Sequence, residues 1–253
     1  MQEVLFEVED GVAIITINRP EAKNAVTRAV SQGISDALDE VDSRNDIRIA
    51  IITGAGGTFC AGMDLKAFLR GEIVGLEGSG FGGIARRVMT KPVIAAVEGY
   101  AVGGGFEIAL ACSMIVAATD AKFALPEVKR GLAPTAGGLV RLPRLLPPRI
   151  ATEMVLTGDT VTAADLERHG LVNKLAEPGG ALAAAKQLAA RVAANGPLAI
   201  KACAQVMREQ QDWTTDEVFA RQAKITDVVF ASADAREGAT AFAEKRKPNW
   251  QGK

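Results

Sequence analysis

One histidine, one tyrosine and three cysteines are all that this 253-residue chain has of the residues that most often carry nucleophilic, metal or stacking chemistry. Cys60, Cys112 and Cys203 are odd in number and widely spaced, with no C-x-x-C pair. Neither a disulfide framework nor a thiolate metal site follows from them, and a reducing, cytoplasmic setting fits best. Ser-His, Cys-His and His-metal arrangements would all hang on His169. Its context, ERHG, reads as the last turn of a helix opened by Thr162 and Asp165 in capping-box spacing, where a histidine complements the helix dipole. No excess of charge exists either: 29 Lys plus Arg against 30 Asp plus Glu give a net charge of -1 and a pI near 6.0. No field attracts nucleic acid or an anionic membrane, and Tyr100 alone offers no stacking platform. The N-terminal MQEVLFEVEDG is acidic where a secretion signal is basic and then apolar. The one stretch that tempts a membrane reading, 101–119, carries Glu107 and three successive glycines.

What is present is ordinary globular composition, 48% hydrophobic and 23% charged, and a clear periodicity. Residues 4–9 and 12–18 are β-branched runs split by Asp10-Gly11, the dipeptide of a tight hairpin. Apolar positions Val30, Ile34, Leu38 and Val41 predict a helix from Thr27 to about Asp42. Strands are expected at 47–53, 93–101 and 114–119, with a glycine-led helix from Gly103 between the last two. Strand–helix–strand alternation implies α/β layering around buried parallel strands. The C-terminal third reads as helical, and Thr214 with Glu217 is expected to cap a helix whose Val218, Phe219, Ile225 and Val229 share a face. The glycine-dense segment 71–83 reads as a mobile loop.

Two glycine turns, 54–66 and 98–107, each follow a predicted strand. Neither completes G-x-G-x-x-G and no GK[ST] exists, so the dinucleotide and NTP readings fail. Glycine there leaves backbone N–H groups free to approach a ligand and hold developing negative charge. Of the carboxylates, Glu107 stands in an apolar run, where desolvation raises a carboxyl pKa toward useful acid–base values. Glu127 follows Pro126 and reads equally as a helix-capping acid.

Five ordered stretches carry a resemblance that covers nearly the whole chain: NRPEAKNA at 18–25, FCAGMDLK at 59–66, KPVIAAVEGYAVGGGFEIALAC at 91–112, FALPEVKRGLAPTAGG at 123–138 and FAEKRKPNW at 242–250. Together they resemble the crotonase, or enoyl-CoA hydratase/isomerase, superfamily. AGMDLK, RLPRLLPPRIATEMVLTG at 141–158 and EKRKPNW are closest to hydratases of the carnitinyl-CoA dehydratase kind.

The resemblance implies an α/β fold, a crotonase-like spiral of ββα units over 1–195, with a C-terminal helical oligomerisation region over 196–253 assembling a homo-trimer or hexamer. It implies an acyl-CoA substrate and neither metal nor separate cofactor. The backbone N–H groups of Met63 and Gly104 would form an oxyanion hole for the thioester oxygen, and Glu107 and Glu127 would share the reacting water. Around the coenzyme it implies Ala22, Lys23 and Asn24; Ala61, Gly62, Asp64, Leu65 and Lys66; Gly103; and Lys245, of the same or a neighbouring subunit. Arg19 stands open between a phosphate contact and a solvated face. Segment 71–83 would line the acyl pocket. The implied reaction is hydration of a 2-enoyl-CoA, with double-bond isomerisation or non-catalytic acyl-CoA binding as alternatives.

Overall fold

The computed structural model describes residues 2–253. It opens with β1 (Val4–Glu9) and β2 (Val12–Ile17), paired antiparallel from Val4↔Ile17 to Glu9↔Val12. Asp10 and Gly11 both hold positive φ, 49° and 77°, as the Asp-Gly turn predicts. Helix α1 (Arg28–Ser43) follows, its first turn capped by the Thr27 side chain, which accepts from the Val30 amide. Then β3 (Ile49–Gly54), β4 (Val93–Val97), β6 (Met114–Ala118) and β9 (Lys174–Ala176) add in parallel, giving the six-stranded order β1-β2-β3-β4-β6-β9.

The central strands of this sheet, β2, β3, β4 and β6, are buried on both faces, with side chains sorted by the period of two. Ile49, Ile51, Ile94, Ala96 and Val116 point to one face, where α7 (Ala181–Ala193) covers them with Ala184, Ala185 and Ala189. Small side chains let that helix lie close to the strands. Ala50, Ile52, Val93, Ala95 and Ala117 point into the larger core on the other face.

A second, smaller layer is what makes the chain a spiral. After β4 the chain turns at Gly99, whose φ is +56°, into β5 (Tyr100–Val102). The expected single strand over 93–101 is therefore two strands in different sheets. A Cβ at Gly99 would lie 2.5 Å from the Gly57 carbonyl oxygen, so the corner needs glycine. β5 pairs with β7 (Lys122–Ala124), which pairs with the short β8 (Val161–Thr162). Isolated bridges Val26↔Met63 and Cys60↔Ala101 extend the same layer through the earlier turns. Each repeat thus sends one strand to the large sheet, a short one to the small layer, and then a helix. These helices are α1, α2 (Leu65–Leu69), α3 (Gly104–Ala111) and, after β7 and a 3-10 turn at Pro126–Arg130, α4 (Gly138–Leu145).

Helix α5 (Pro148–Thr157) and α6 (Ala163–Arg168) complete the rim, and Thr162 caps α6 by accepting from the Asp165 amide. Helices α8 (Pro197–Glu209), α9 (Val218–Phe230) and α10 (Ala233–Ala243) end the chain. The expected capping box at Thr214 does not form. Thr214 offers only its carbonyl, to the amides of Glu217 and Val218, and α9 starts without a side-chain cap. Phe219 also leaves the expected shared face and is 78% exposed. Segment 71–83 is folded onto α1: Glu72 accepts from the Arg28 amide, and the Ser31 hydroxyl accepts from the Gly82 amide. No helix among the described residues is long and apolar enough to cross a membrane.

Candidate active site

The spiral brings two glycine turns side by side. Cys60 donates to the Tyr100 carbonyl and accepts from the Val102 amide, at 2.9 and 3.0 Å. Beyond this bridge the chain continues on one side to Met63 and on the other to Gly104, the first residue of α3. On the other side, Val26 donates to the Gly62 carbonyl and accepts from the Asp64 amide. Regular alternation from Cys60 would turn the Met63 amide toward Val26. Gly62, at φ +91°, shifts the alternation, so that the Met63 N–H faces α3 instead. A Cβ at Gly62 would stand 2.7 Å from the Val102 oxygen and 3.2 Å from the Gly104 nitrogen, so only glycine lets the two turns meet.

Gly104 is the first residue of α3, and its cap, Gly103, supplies no side-chain acceptor. Amides in a first helical turn have no intrahelical partner. Among the described residues neither the Met63 nor the Gly104 N–H has an acceptor. Both are free to donate to a ligand, with the positive end of α3 behind Gly104.

Glu107 lies one turn along α3 and is 3% exposed. Its Oε1 accepts from the Gly138 amide at 2.8 Å, at the N-terminus of α4. Burial pushes its pKa from 4.5 up to about 7; the Gly138 amide opposes this, the nearby Glu127 charge adds to it, and the Ala136 amide and Arg141 oppose it more weakly. Glu127 approaches from the Pro126–Arg130 turn, its Oε1 2.9 Å from where a Cβ on Gly103 would sit. Its Oε2 is buried with no hydrogen-bond partner. Burial raises its pKa too, against its own backbone amide and Arg130. One carboxyl on α3 and one brought to its start from the Pro126–Arg130 turn therefore both hold protons unusually well.

The residues expected around the coenzyme fall into two groups. Ala22, Lys23, Ala61, Leu65 and Lys66 are exposed or half-buried beside Met63, with the Ala61 amide on the Lys23 carbonyl at 3.0 Å. Asn24 and Asp64 are committed elsewhere. Asn24 is fully buried, its Nδ2 donates to Ala55 and Thr58 carbonyls at 2.8 and 2.6 Å, and its Oδ1 accepts from the Arg19 amide. Asp64 caps α2 through the Lys66 and Ala67 amides and binds Arg19 at 3.1 Å. Burial raises its pKa, but the Ala67 amide and Arg19 outweigh that and hold it below the usual carboxylate value. Arg19, paired also with Glu3 at 3.2 Å, is a structural clamp with 15% of its side chain exposed, not a solvated cation. Lys245 lies in the exposed turn after α10, and among the described residues no hydrogen bond or ion pair links its side chain to the site. His169 is the exposed C-cap of α6.

Three participants escape the sequence patterns. The Phe81 ring covers the start of α3, where a Cβ on Gly104 would overlap it. Gly138 cradles Glu107, and half-buried Arg141 sits beside the same turn. The Gly137-Gly138 pair at a helix start was the available signal for the cradle.

A ββα spiral with two acceptor-free amides in neighbouring glycine turns, a buried carboxyl at Glu107 and a half-buried one at Glu127 fits an acyl-thioester enzyme of the enoyl-CoA hydratase/isomerase class. The chain belongs to that family, whose profile matches residues 7–253. It is 56% identical to a crystal structure of an enoyl-CoA hydratase from Mycobacterium tuberculosis H37Rv, with a TM-score of 0.99 over 100% of both chains. It is 42% identical over 256 residues to enoyl-CoA hydratase EchA19 of Mycobacterium tuberculosis, covering 98% of this chain and 96% of that protein. A carnitinyl-CoA dehydratase of Salmonella arizonae is also 42% identical, over 100% of both chains.

Proposed function

We propose that this protein is an enoyl-CoA hydratase, adding water reversibly across the double bond of a 2-enoyl-CoA to give the 3-hydroxyacyl-CoA. The carrying observation is the carboxyl pair, Glu107 buried and Glu127 half-buried with its Oε2 enclosed and unpartnered, alongside two amides with no acceptor of their own. The thioester oxygen sits between the N–H groups of Met63 and Gly104. As water adds, charge builds on that oxygen, and fixed donors stabilise it by roughly 2.7–4 kcal/mol each. The water oxygen bonds to the β-carbon and gives its proton to Glu107, while Glu127 gives its proton to the α-carbon; dehydration reverses both transfers. A pKa near 7 lets Glu107 take up and release a proton near neutrality.

The nucleotide and pantetheine of coenzyme A lie along Ala22–Lys23, Ala61–Gly62 and Leu65–Lys66. Asn24 and Asp64 act there by holding the backbone, and Gly103 by making room for Glu127. Residues 196–253 form the oligomerisation region of a trimer or hexamer, supported by Phe219, Phe230 and Phe242 being 78%, 81% and 88% exposed in the single chain; Lys245 reaches a neighbouring subunit's coenzyme. The three free thiols suit a reducing, cytoplasmic setting.

A panel of enoyl-CoA thioesters, with crotonobetainyl-CoA among them, tests this reading. Hydration of at least one straight-chain 2-enoyl-CoA is expected, and loss of that activity in both Glu107→Gln and Glu127→Gln. Double-bond migration without hydration, abolished by Glu127→Gln alone, would instead make the protein an isomerase.

A further inference from the structure

Arg141 is a half-buried cation that the hydration steps leave without a task. It lies one turn into α4, where Nη2 donates to the Ala85 carbonyl at 2.8 Å and Nη1 to the Ala136 carbonyl at 3.5 Å. The guanidinium fits only because residue 137 is glycine: a Cβ there would overlap Nη1, and φ is +118°. Burial pulls the Arg141 pKa down, and the Glu107 charge pulls it back. An arginine free to choose would take its donors to water. Here they join two parts of the site wall. Ala85 belongs to the stretch that begins at Phe81, on top of Gly104; Ala136 opens the turn whose Gly138 amide holds Glu107.

We propose that Arg141 is a positioning residue, whose guanidinium braces the 136–138 turn against Ala85 and so keeps the Gly138 amide on Glu107 and that carboxylate aimed at the reacting carbons. The inference rests on the hydratase reading of Glu107. A planar fork suits the task because it spans two carbonyls at once, which a lysine ammonium cannot do with the same geometry. The charged groups facing Glu107 are Glu127 from the Pro126–Arg130 turn and Arg141 from α4. Arg130 faces Glu127. Cys112, at the end of α3, is a neutral thiol pushed up to about 12 by burial. Without Arg141 the remaining charge facing Glu107 is Glu127, which adds to the effect of burial, so Glu107 keeps its proton to higher pH.

The test uses the full chain as wild type, Arg141→Met and Arg141→Lys. Infrared titration isolates the Glu107 carboxyl by difference against Glu107→Gln, and kcat and KM are measured for an enoyl-CoA across the pH profile. In Arg141→Met the titration midpoint rises and kcat falls about tenfold to a hundredfold, with KM nearly unchanged, since misplacing a catalytic group by an ångström costs on that order. Arg141→Lys returns the midpoint toward wild type while kcat stays low. A wild-type midpoint and kcat in both variants, with or without a lower Tm, would overturn the proposal and leave Arg141 as structure only. Should Arg141→Met not fold, the low kcat with restored midpoint in Arg141→Lys still decides. If the wild type hydrates no enoyl-CoA, the hydratase reading fails, yet the infrared midpoints still report whether Arg141 governs Glu107.

Discussion

Glu107 should make the folded protein less stable at neutral pH than it would be without that acid, and the size of the effect follows from its environment. Its pKa rises from 4.5 to about 7 on folding. Below pH 4.5 both folded and unfolded chains hold the proton, and the group contributes nothing. Between 4.5 and 7 the unfolded chain ionises while the folded one does not, so stability is lost as pH rises; above 7 the loss is complete. At about 1.4 kcal/mol per tenfold change, the cost approaches roughly 3 kcal/mol. Glu107→Gln keeps an oxygen to accept from Gly138 and cannot ionise. It should match the wild type near pH 4.5 and exceed it above pH 7.5 by about 1–3 kcal/mol, roughly 3–10 °C in Tm for a chain of this length. Thermal melts of both proteins across that range make the comparison. A Tm difference that does not change with pH would show that Glu107 ionises as freely in the fold as in water.

The other consequences are local. Asn24→Ala removes three part-buried hydrogen bonds, to the Ala55 and Thr58 carbonyls and from the Arg19 amide, at about 0.5–1.5 kcal/mol each, so denaturant melts should show a clear loss of stability. Gly104→Ala drives a methyl into the Phe81 ring and should lower hydration at least about tenfold; adding Phe81→Ala should recover much of the stability, because the obstacle is a side chain. Gly105→Ala meets the Cys60 carbonyl oxygen instead, and no second-site truncation should rescue its expression or Tm. His169→Ala should leave kcat and KM unchanged and stability within about 0.5 kcal/mol.

The hairpin, α1 and the parallel strands were legible because their patterns are local: Asp-Gly between β-branched runs, a 3.6-residue stripe, uninterrupted apolar strands. The break at Gly99 was not, because Glu98-Gly99 continues an apolar run whose corner is forced by the Gly57 carbonyl from another repeat. Thr214 misled for a related reason. A capping box is a spacing of residue types, and the turn at 214–217 satisfies its amides with the Thr214 carbonyl rather than the hydroxyl. In the site, Glu107 stood out as a charge in an apolar helix. The partnership of Met63 with Gly104 came only from family resemblance, since it depends on the Cys60–Ala101 register that no short pattern encodes. Asn24 and Asp64 are expected as coenzyme contacts from the family resemblance alone, whereas their hydrogen bonds are spent inside the fold. Arg141 needed both the missing Cβ at Gly137 and the position of Ala85 to be seen at all.

The central claim, two acids serving one water next to a held thioester, is tested most directly by single-turnover hydration of a bound 2-enoyl-CoA in Glu107→Gln, Glu127→Gln and the double variant. Each single substitution should slow the step by about a hundredfold or more while acyl-CoA binding persists, and the double variant should be little slower than the worse single one, because the two act as a unit. A single variant that turns over at nearly the wild-type rate would contradict it.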